Sequence, residues 1–218
     1  MARLARVLVA GVAHHVIQRG NRRQKVFFKD SDREKYLNFL KANSEKYGFD
    51  IWAYCLMTNH VHLVVVPHEN ESLAKGLGET HKQYTRMINS REKWAGYLWE
   101  GRFKSFPLDE KYLYTVIRYV ERNPVRAKLV KCADDYHWSS AKSHVDKISD
   151  PLIKKFYLMD EIDDWAKYLT DGSEIELETI RKYIETGRPL GREEFIERLE
   201  KKLDRILRIQ KPGPKRNA

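Results

Sequence analysis

The stretch Phe49-Asp-Ile-Trp-Ala-Tyr-Cys-Leu-Met-Thr-Asn-His-Val-His-Leu-Val-Val-Val-Pro67 decides the fold. Residues 49–57 and 60–66 are two runs of β-branched, aliphatic and aromatic residues, separated by the turn-forming pair Thr58-Asn59. They predict a hairpin that Pro67 closes, because proline cannot donate to a ladder. Upstream, Val12–Gln18 is a third β-rich run, ending at the turn signal Gly20-Asn21. A helix is predicted between them: Asp30-Ser31-Asp32 offers an N-cap, Tyr36, Phe39, Leu40 and Tyr47 recur at helical spacing, and Gly48 stops it. Downstream, Ser72 opens a second helix to about Ser90, and Phe103–Leu108 reads as a short fourth strand. Asp109 to about Asn123 reads as a third helix ended by Pro124. The order β-α-β-β-α-β predicts an α+β fold of ferredoxin-like (RRM-like) type, an antiparallel sheet with helices on one face. After Ser143 the pattern is helical only, at 151–169, 174–186 and 191–209. The expected division is therefore a domain over 1–143 and a helical C-terminal extension over 144–218 with a basic tail.

Composition narrows the function classes. The chain has 218 residues, and its 5 Trp, 12 Tyr and 8 Phe exclude a chain disordered throughout. The longest aliphatic run, Leu63–Val66, is far short of the ~20 apolar residues a membrane span needs. Met1–Ala10 lacks the apolar centre of a secretory signal. Two cysteines, Cys55 and Cys132, cannot make a disulfide scaffold or a four-thiolate zinc site. A soluble cytoplasmic protein is expected. Its net charge is +10, and residues 1–145 alone carry 25 basic against 15 acidic side chains. Residues 146–185 are acidic and 186–218 basic again. Such a balance points to a polyanionic partner.

Two groups of residues could do chemistry. His60-Val-His62 puts two imidazoles at i and i+2 of a strand, hence on one side, where they can occupy two positions of a divalent ion. Two surface histidines would give the same pattern. On the third helix, Leu113, Val116, Ile117 and Val120 form the core stripe, and Tyr119 and Asn123 share a shoulder beside it. A tyrosine, an amide oxygen and a histidine pair form a coherent set for phosphodiester chemistry. Tyr84 and Tyr114 read as packing residues, and Tyr112 lies about three turns from Asn123.

Asn59-His-Val-His-Leu-Val-Val65 together with Arg118-Tyr-Val-Glu-Arg-Asn-Pro-Val-Arg126 resembles the single-tyrosine HUH transposases, more narrowly the REP-associated tyrosine transposases of bacteria. His15-Val-Ile-Gln-Arg-Gly-Asn-Arg22, Leu98-Trp-Glu-Gly-Arg-Phe-Lys104 and Trp138-Ser-Ser140 are similar as well. The resemblance implies that His60, His62 and Asn123 hold Mg²⁺ or Mn²⁺ and that Tyr119 is the nucleophile. It further implies cleavage and rejoining of single-stranded DNA at hairpin-flanked repeats through a 5′-phosphotyrosine. No nucleotide cofactor is needed, in keeping with the lack of a Walker-type run in the sequence.

DNA contacts are expected from Arg3, Arg6, Arg19, Arg22, Arg23 and Lys25 around the first strand, and from Lys104, Arg118, Arg122 and Arg126. Trp99 and Phe103 could stack unpaired bases. Basic residues of the last segment, among them Arg192, Arg205, Arg208, Lys211, Lys215 and Arg216, could form a DNA arm or a plain amphipathic helix with its tail. The expected partner is single-stranded or hairpin DNA in the nucleoid, bound by a monomer or homodimer. Three other readings stay open: a domesticated hairpin-binding protein that no longer cuts, an RRM-like RNA binder, and a metal-water hydrolase.

Overall fold

The structure is a computed structural model that describes residues 6–171 and 174–208. Four strands, β1 (His14–Arg19), β2 (Phe49–Met57), β3 (His60–Pro67) and β4 (Lys104–Pro107), form one antiparallel sheet in the order β2-β3-β1-β4. With α1 (Asp30–Tyr47) and α2 (Ser72–Glu92), this is the expected ferredoxin-like arrangement. The first and last strands are displaced by a residue or two from their sequence-based bounds.

The helices are not confined to one face, and this corrects the sequence expectation. Val61, Leu63 and Val65 of β3 pack with Tyr36 and Leu40 of α1 and Leu77, Tyr84 and Ile88 of α2. On the opposite face, Val64, Ala53 and Cys55 meet Leu113, Val116, Ile117 and Val120 of α3 (Glu110–Glu121). A strand apolar on both sides requires cover on both sides.

Helix ends follow local chemistry. Gly48 takes the left-handed conformation (φ 69°) that terminates α1, a geometry open to glycine at little cost. At the other end Asp32, rather than Asp30 or Ser31, accepts the free backbone N–H groups of Phe28 and Lys29 at 2.9 and 3.2 Å. Pro124 does not stop the third helix. The helix breaks one step earlier, at Arg122 (φ −84°, ψ 2°), and Pro124 lies in the first turn of α4 (Asn123–Arg126), where a missing N–H costs nothing.

The extension packs against this frame. The short α5 (Ala141–Val145) spans the boundary, and beyond it lie α6 (Leu158–Glu161), α7 (Trp165–Thr170), α8 (Glu174–Thr186) and α9 (Glu193–Leu203). The expected helix over 151–169 is instead two short helices after an extended stretch. That stretch serves the sheet: Phe156 stacks on Trp52 at 4.8 Å, and the Lys154 N–H donates to the Ile51 carbonyl. Leu56 N–H donates to Trp138 O and Ser140 N–H to Tyr54 O, so the outer edge of β2 is covered. At the other edge, Leu190 bridges Leu108 beside the end of β4. The helix expected over 191–209 ends at Leu203, where Asp204 is left-handed (φ 49°). Its Phe195 and Leu199 pack on Val7 and Val9.

One buried carboxylate joins the two segments. Glu121 of α3 is fully buried and accepts hydrogen bonds from Ser140 Oγ (2.5 Å), His144 Nδ1 (2.6 Å) and Trp165 Nε1 (2.8 Å). Trp165→Phe keeps the ring and removes one donor to this charge. The substitution should lower unfolding free energy by about 1.5–3 kcal/mol, measured by urea denaturation. A pH dependence also follows. Burial lowers His14 to about 4 and His81 to about 3, Arg6 adding to the effect at His81. Below pH ~6.5 the unfolded chain binds protons that these folded rings refuse, so stability falls as pH falls, by about 1.4 kcal/mol per unit per ring. Urea midpoints should therefore drop steadily from pH ~7 to ~5. A flat profile would contradict neutral buried histidines.

Candidate active site

Pairing register builds the site. In β1 and β3, Ile17 lies opposite His62 and Arg19 opposite His60, and in β4 Lys104 lies opposite Ile17. Directly paired residues share a face. His60, His62, Arg19 and Lys104 thus project toward the α3 side, and His15, two residues before Ile17, joins them. From α3 the Tyr119 ring comes edge-on to His62 and His15, with centroids 5.7 and 5.9 Å away. Asn123 opens α4, with Nδ2 directed to the Tyr119 carbonyl at 3.4 Å. Arg126 donates to the same carbonyl at 2.9 Å and lays its guanidinium 4.0 Å over the Tyr119 ring.

The imidazoles are held neutral. Burial pushes His60 down to about 4, with Arg19 and Arg126 adding to the effect. Burial also drives His62 well below its ordinary value, helped by the neighbouring His60 and His15, and lowers His15 to about 3. Their Nδ1 atoms are engaged where it matters. Asn59 Oδ1 lies 2.6 Å from His60 Nδ1, and an amide oxygen can only accept, so His60 carries its proton on Nδ1 and leaves Nε2 with a lone pair. His62 Nδ1 is hydrogen-bonded to His15 Nε2 at 2.9 Å, a contact that fixes the ring and leaves Nε2 outside it. Such outer contacts orient metal-ligating histidines elsewhere in proteins. Among the described residues no cluster of three or more His, Cys, Asp or Glu is arranged around an ion. The Asn123 side chain contributes an amide on the same stretch of chain, its Nδ2 turned to the Tyr119 carbonyl.

Tyr119 also borders a cavity of about 340 Å³, lined by Arg118, Arg122 and Arg126 and closed by Glu176 and Arg181 of α8. Arg126 Nη1 is buried without a hydrogen-bond partner. A desolvated guanidinium N–H beside a phenol suits an anionic oxygen.

The other sequence candidates divide. Arg19, Lys104, Arg118, Arg122 and Arg126 surround the site. Arg22 and Arg23 are exposed on the turn Asn21–Arg23, which is tied to the β2–β3 hairpin because Asn59 Nδ2 donates to the Arg23 carbonyl at 3.0 Å. Arg6 lies elsewhere, 4.0 Å over Phe103. Arg3, Lys211, Lys215 and Arg216 fall outside the described residues. Trp99 and Phe103 are buried in the α1–α2 core, which corrects their reading as free stacking platforms. Arg192 is bound to Asp109 (2.7 and 3.1 Å), and Arg208 to Glu193, Glu197 and Glu200. Arg205 donates to the Arg6 carbonyl. These three contacts brace the fold. Sequence reasoning missed His15 as a site residue and Glu121 as a buried anchor. Glu121 falls four residues after Ile117 on the core stripe, and a charge on that stripe was the available signal.

Comparison with known proteins bears on the family and the fold. Residues 9–123 match the family model described as "Transposase IS200 like". A Haemophilus influenzae protein carrying the provisional name REP-associated tyrosine transposase is 26% identical over 129 residues, covering 54% of this chain and 73% of that protein. Among solved structures, a REP-associated tyrosine transposase bound to a REP hairpin superposes with a TM-score of 0.58 at 18% identity, covering 72% of this chain and 93% of that one. At that identity the superposition speaks for the fold. The family match spans more than half of the chain and contains both histidines, the tyrosine and the asparagine: this protein belongs to the IS200-like transposase family.

Proposed function

We propose that this protein cleaves and rejoins single-stranded DNA by transesterification, with Tyr119 as nucleophile and hairpin-flanked repeat DNA as substrate. One observation carries the reading. The Tyr119 ring borders both the neutral His60–His62 pair and the arginine-lined cavity. The REP hairpin held by the structural neighbour supports the choice of substrate.

The roles follow from the chemistry. A phenol is a weak nucleophile at neutral pH and needs an activated, aligned phosphate. Arg126, Arg118 and Arg122 would bind the nonbridging oxygens and stabilise the charge that grows on them during attack. His60, His62 and Asn123 would hold a divalent ion, Mg²⁺ or Mn²⁺, whose contribution when bound is Lewis-acid polarisation of that phosphate. Two neutral imidazoles, His60 with its Nε2 lone pair free, and one amide oxygen fit such an ion. Attack by the Tyr119 oxygen forms a phosphotyrosine bond to the 5′ side and releases a 3′-hydroxyl. The phosphodiester energy is conserved, so a hydroxyl can reverse the step without a nucleotide cofactor.

The Tyr119→Phe protein should bind hairpin DNA with unchanged affinity while strand cleavage and the covalent protein–DNA adduct disappear on denaturing gels. Persistent cleavage would move the nucleophile elsewhere, and a wild type that binds without cutting in Mn²⁺ would favour a purely DNA-binding protein. For the metal, ¹⁵N spectra of the histidine rings at pH ~7 should show neutral His15, His60 and His62, with His60 protonated on Nδ1. Added Mn²⁺ should broaden the His60 and His62 signals selectively. His60→Ala with His62→Ala should abolish both Mn²⁺ binding and cleavage in a folded protein.

A further inference from the structure

A second basic feature lies on the other side of the sheet. Gln18 pairs with Val61 and so faces α1 and α2, whereas its neighbours Ile17 and Arg19 face α3. Beside Gln18, between α2 and the segment 97–103, runs a groove of about 780 Å³, within the size range of small-ligand sites. Its floor is formed by the buried rings of His81, Trp99 and Phe103. Helix α2 turns Ala74 and Gly78 toward it, and a Cβ at Gly78 would meet nothing within 4 Å, so the wall stays open.

The rim is cationic. Arg6, Arg86 and Arg102 stand around the groove, and among the described residues none of the three has a carboxylate within 4.0 Å. Lys82 is paired with Glu79 at 3.3 Å, and Glu100 also lines the groove. Burial and the nearby Arg102 charge lower the Arg6 guanidinium pKa, which marks two like charges held close together. Like charges in such proximity are relieved by an anion between them. Tyr97, 85% exposed, stands at the same rim with its ring in solvent. Aromatic rings beside unpaired guanidiniums are the features that bind unpaired bases and their phosphates.

The groove is also connected to the candidate active site. A small cleft brings Arg19 and Lys104, on the histidine face, together with Gly101 and Arg102 at the groove. Arg19 is the residue opposite His60. At Gly101 a Cβ would meet nothing within 4 Å, so the backbone there offers a smooth passage around the start of β4.

We propose that this groove is a second nucleic-acid subsite, holding an unpaired stretch of the strand that flanks the scissile phosphate and that reaches it over Gly101. A base stacks on Tyr97, and its phosphates lie among Arg6, Arg86 and Arg102. A duplex, with its bases paired inward, could use the arginines but not Tyr97. The identity of the strand as substrate DNA rests on the function proposed above; the capacity of the groove to bind single strands does not.

The test uses full-length Tyr119→Phe protein in EDTA, so that neither cleavage nor metal enters. Fluorescence anisotropy compares a labelled oligothymidylate of about 12 nucleotides with a duplex of equal length. Arg86→Ala and Arg102→Ala should each weaken single-strand binding and lower its log–log salt slope by about 0.7. Tyr97→Ala should weaken single-strand binding by about tenfold and leave duplex binding unchanged. With 5-iodouracil in the oligonucleotide, photocrosslinks should map to Tyr97. The proposal is overturned by unaltered affinity and slope in both arginine variants. It is overturned equally by equal losses for duplex and single strand in Tyr97→Ala, or by failure of the parent protein to bind the oligothymidylate. A wild type that binds in this way but never cuts DNA would remove the transesterase reading alone.

Discussion

The antiparallel register between β1 and β3 is the constraint on which the rest depends. Side chains alternate along a strand, so a slip of one residue would exchange His60, His62 and Arg19 for Val61, Leu63 and Gln18 on the α3 face. Hydrophobic patterning alone cannot prevent this slip, because β3 is apolar on both sides. Backbone hydrogen bonds around the hairpin turn do so instead. Gly20 N–H donates to Asn59 O, and Val26 and Phe27 N–H donate to Thr58 O, pinning the end of β1 to the β2–β3 turn. Gly20 has to be glycine for this docking. A Cβ there would collide with the Gln24 carbonyl and come within 2.7 Å of the Val26 side chain.

The elements were legible because turn chemistry marks them: Thr58-Asn59, Gly48 and Ser72 each delimit what the structure contains. The four-residue spacing of Tyr119 and Asn123 was equally readable, since it follows from helix geometry. Which faces would be covered was not. A run such as Val61–Val66 announces burial without saying against what, and so the expectation of helices on one face misplaced α3, which covers the other. His15 was hidden for a related reason. His14 and His15 are adjacent, and only the register with β3 tells which of them joins His62. Trp99 and Phe103 show the limit of composition: aromatics between glycines and arginines read as exposed platforms, yet burial in the core claims both rings.

Glu121 gives α3 an anchor that apolar packing could not supply. Hydrophobic stripes tolerate sliding and small rotations, whereas a carboxylate with three aimed donors has one satisfactory position. Breaking such a buried set strands a charge, which is costly. Tyr119 lies two residues before Glu121 and Asn123 two after it, so the orientation of both follows from the contacts of this one side chain. Two of the donors, His144 and Trp165, come from the C-terminal extension. The extension therefore bears on the position of the tyrosine through this carboxylate as well as through the α8 residues that line its cavity.

The sheet edges carry a consequence for assembly. An exposed edge strand is a standing invitation to another chain, because its backbone groups lack partners. Here β2 is covered by the strand-like passage through Trp138 and Ser140 and by Lys154, while β4 has four residues, ends in Pro107 and is flanked by Leu190. Growth of the sheet into a second molecule is thereby discouraged at both margins. Any pairing of two copies would have to be made by helices and loops, surfaces that can separate and re-form without tearing a hydrogen-bonded ladder.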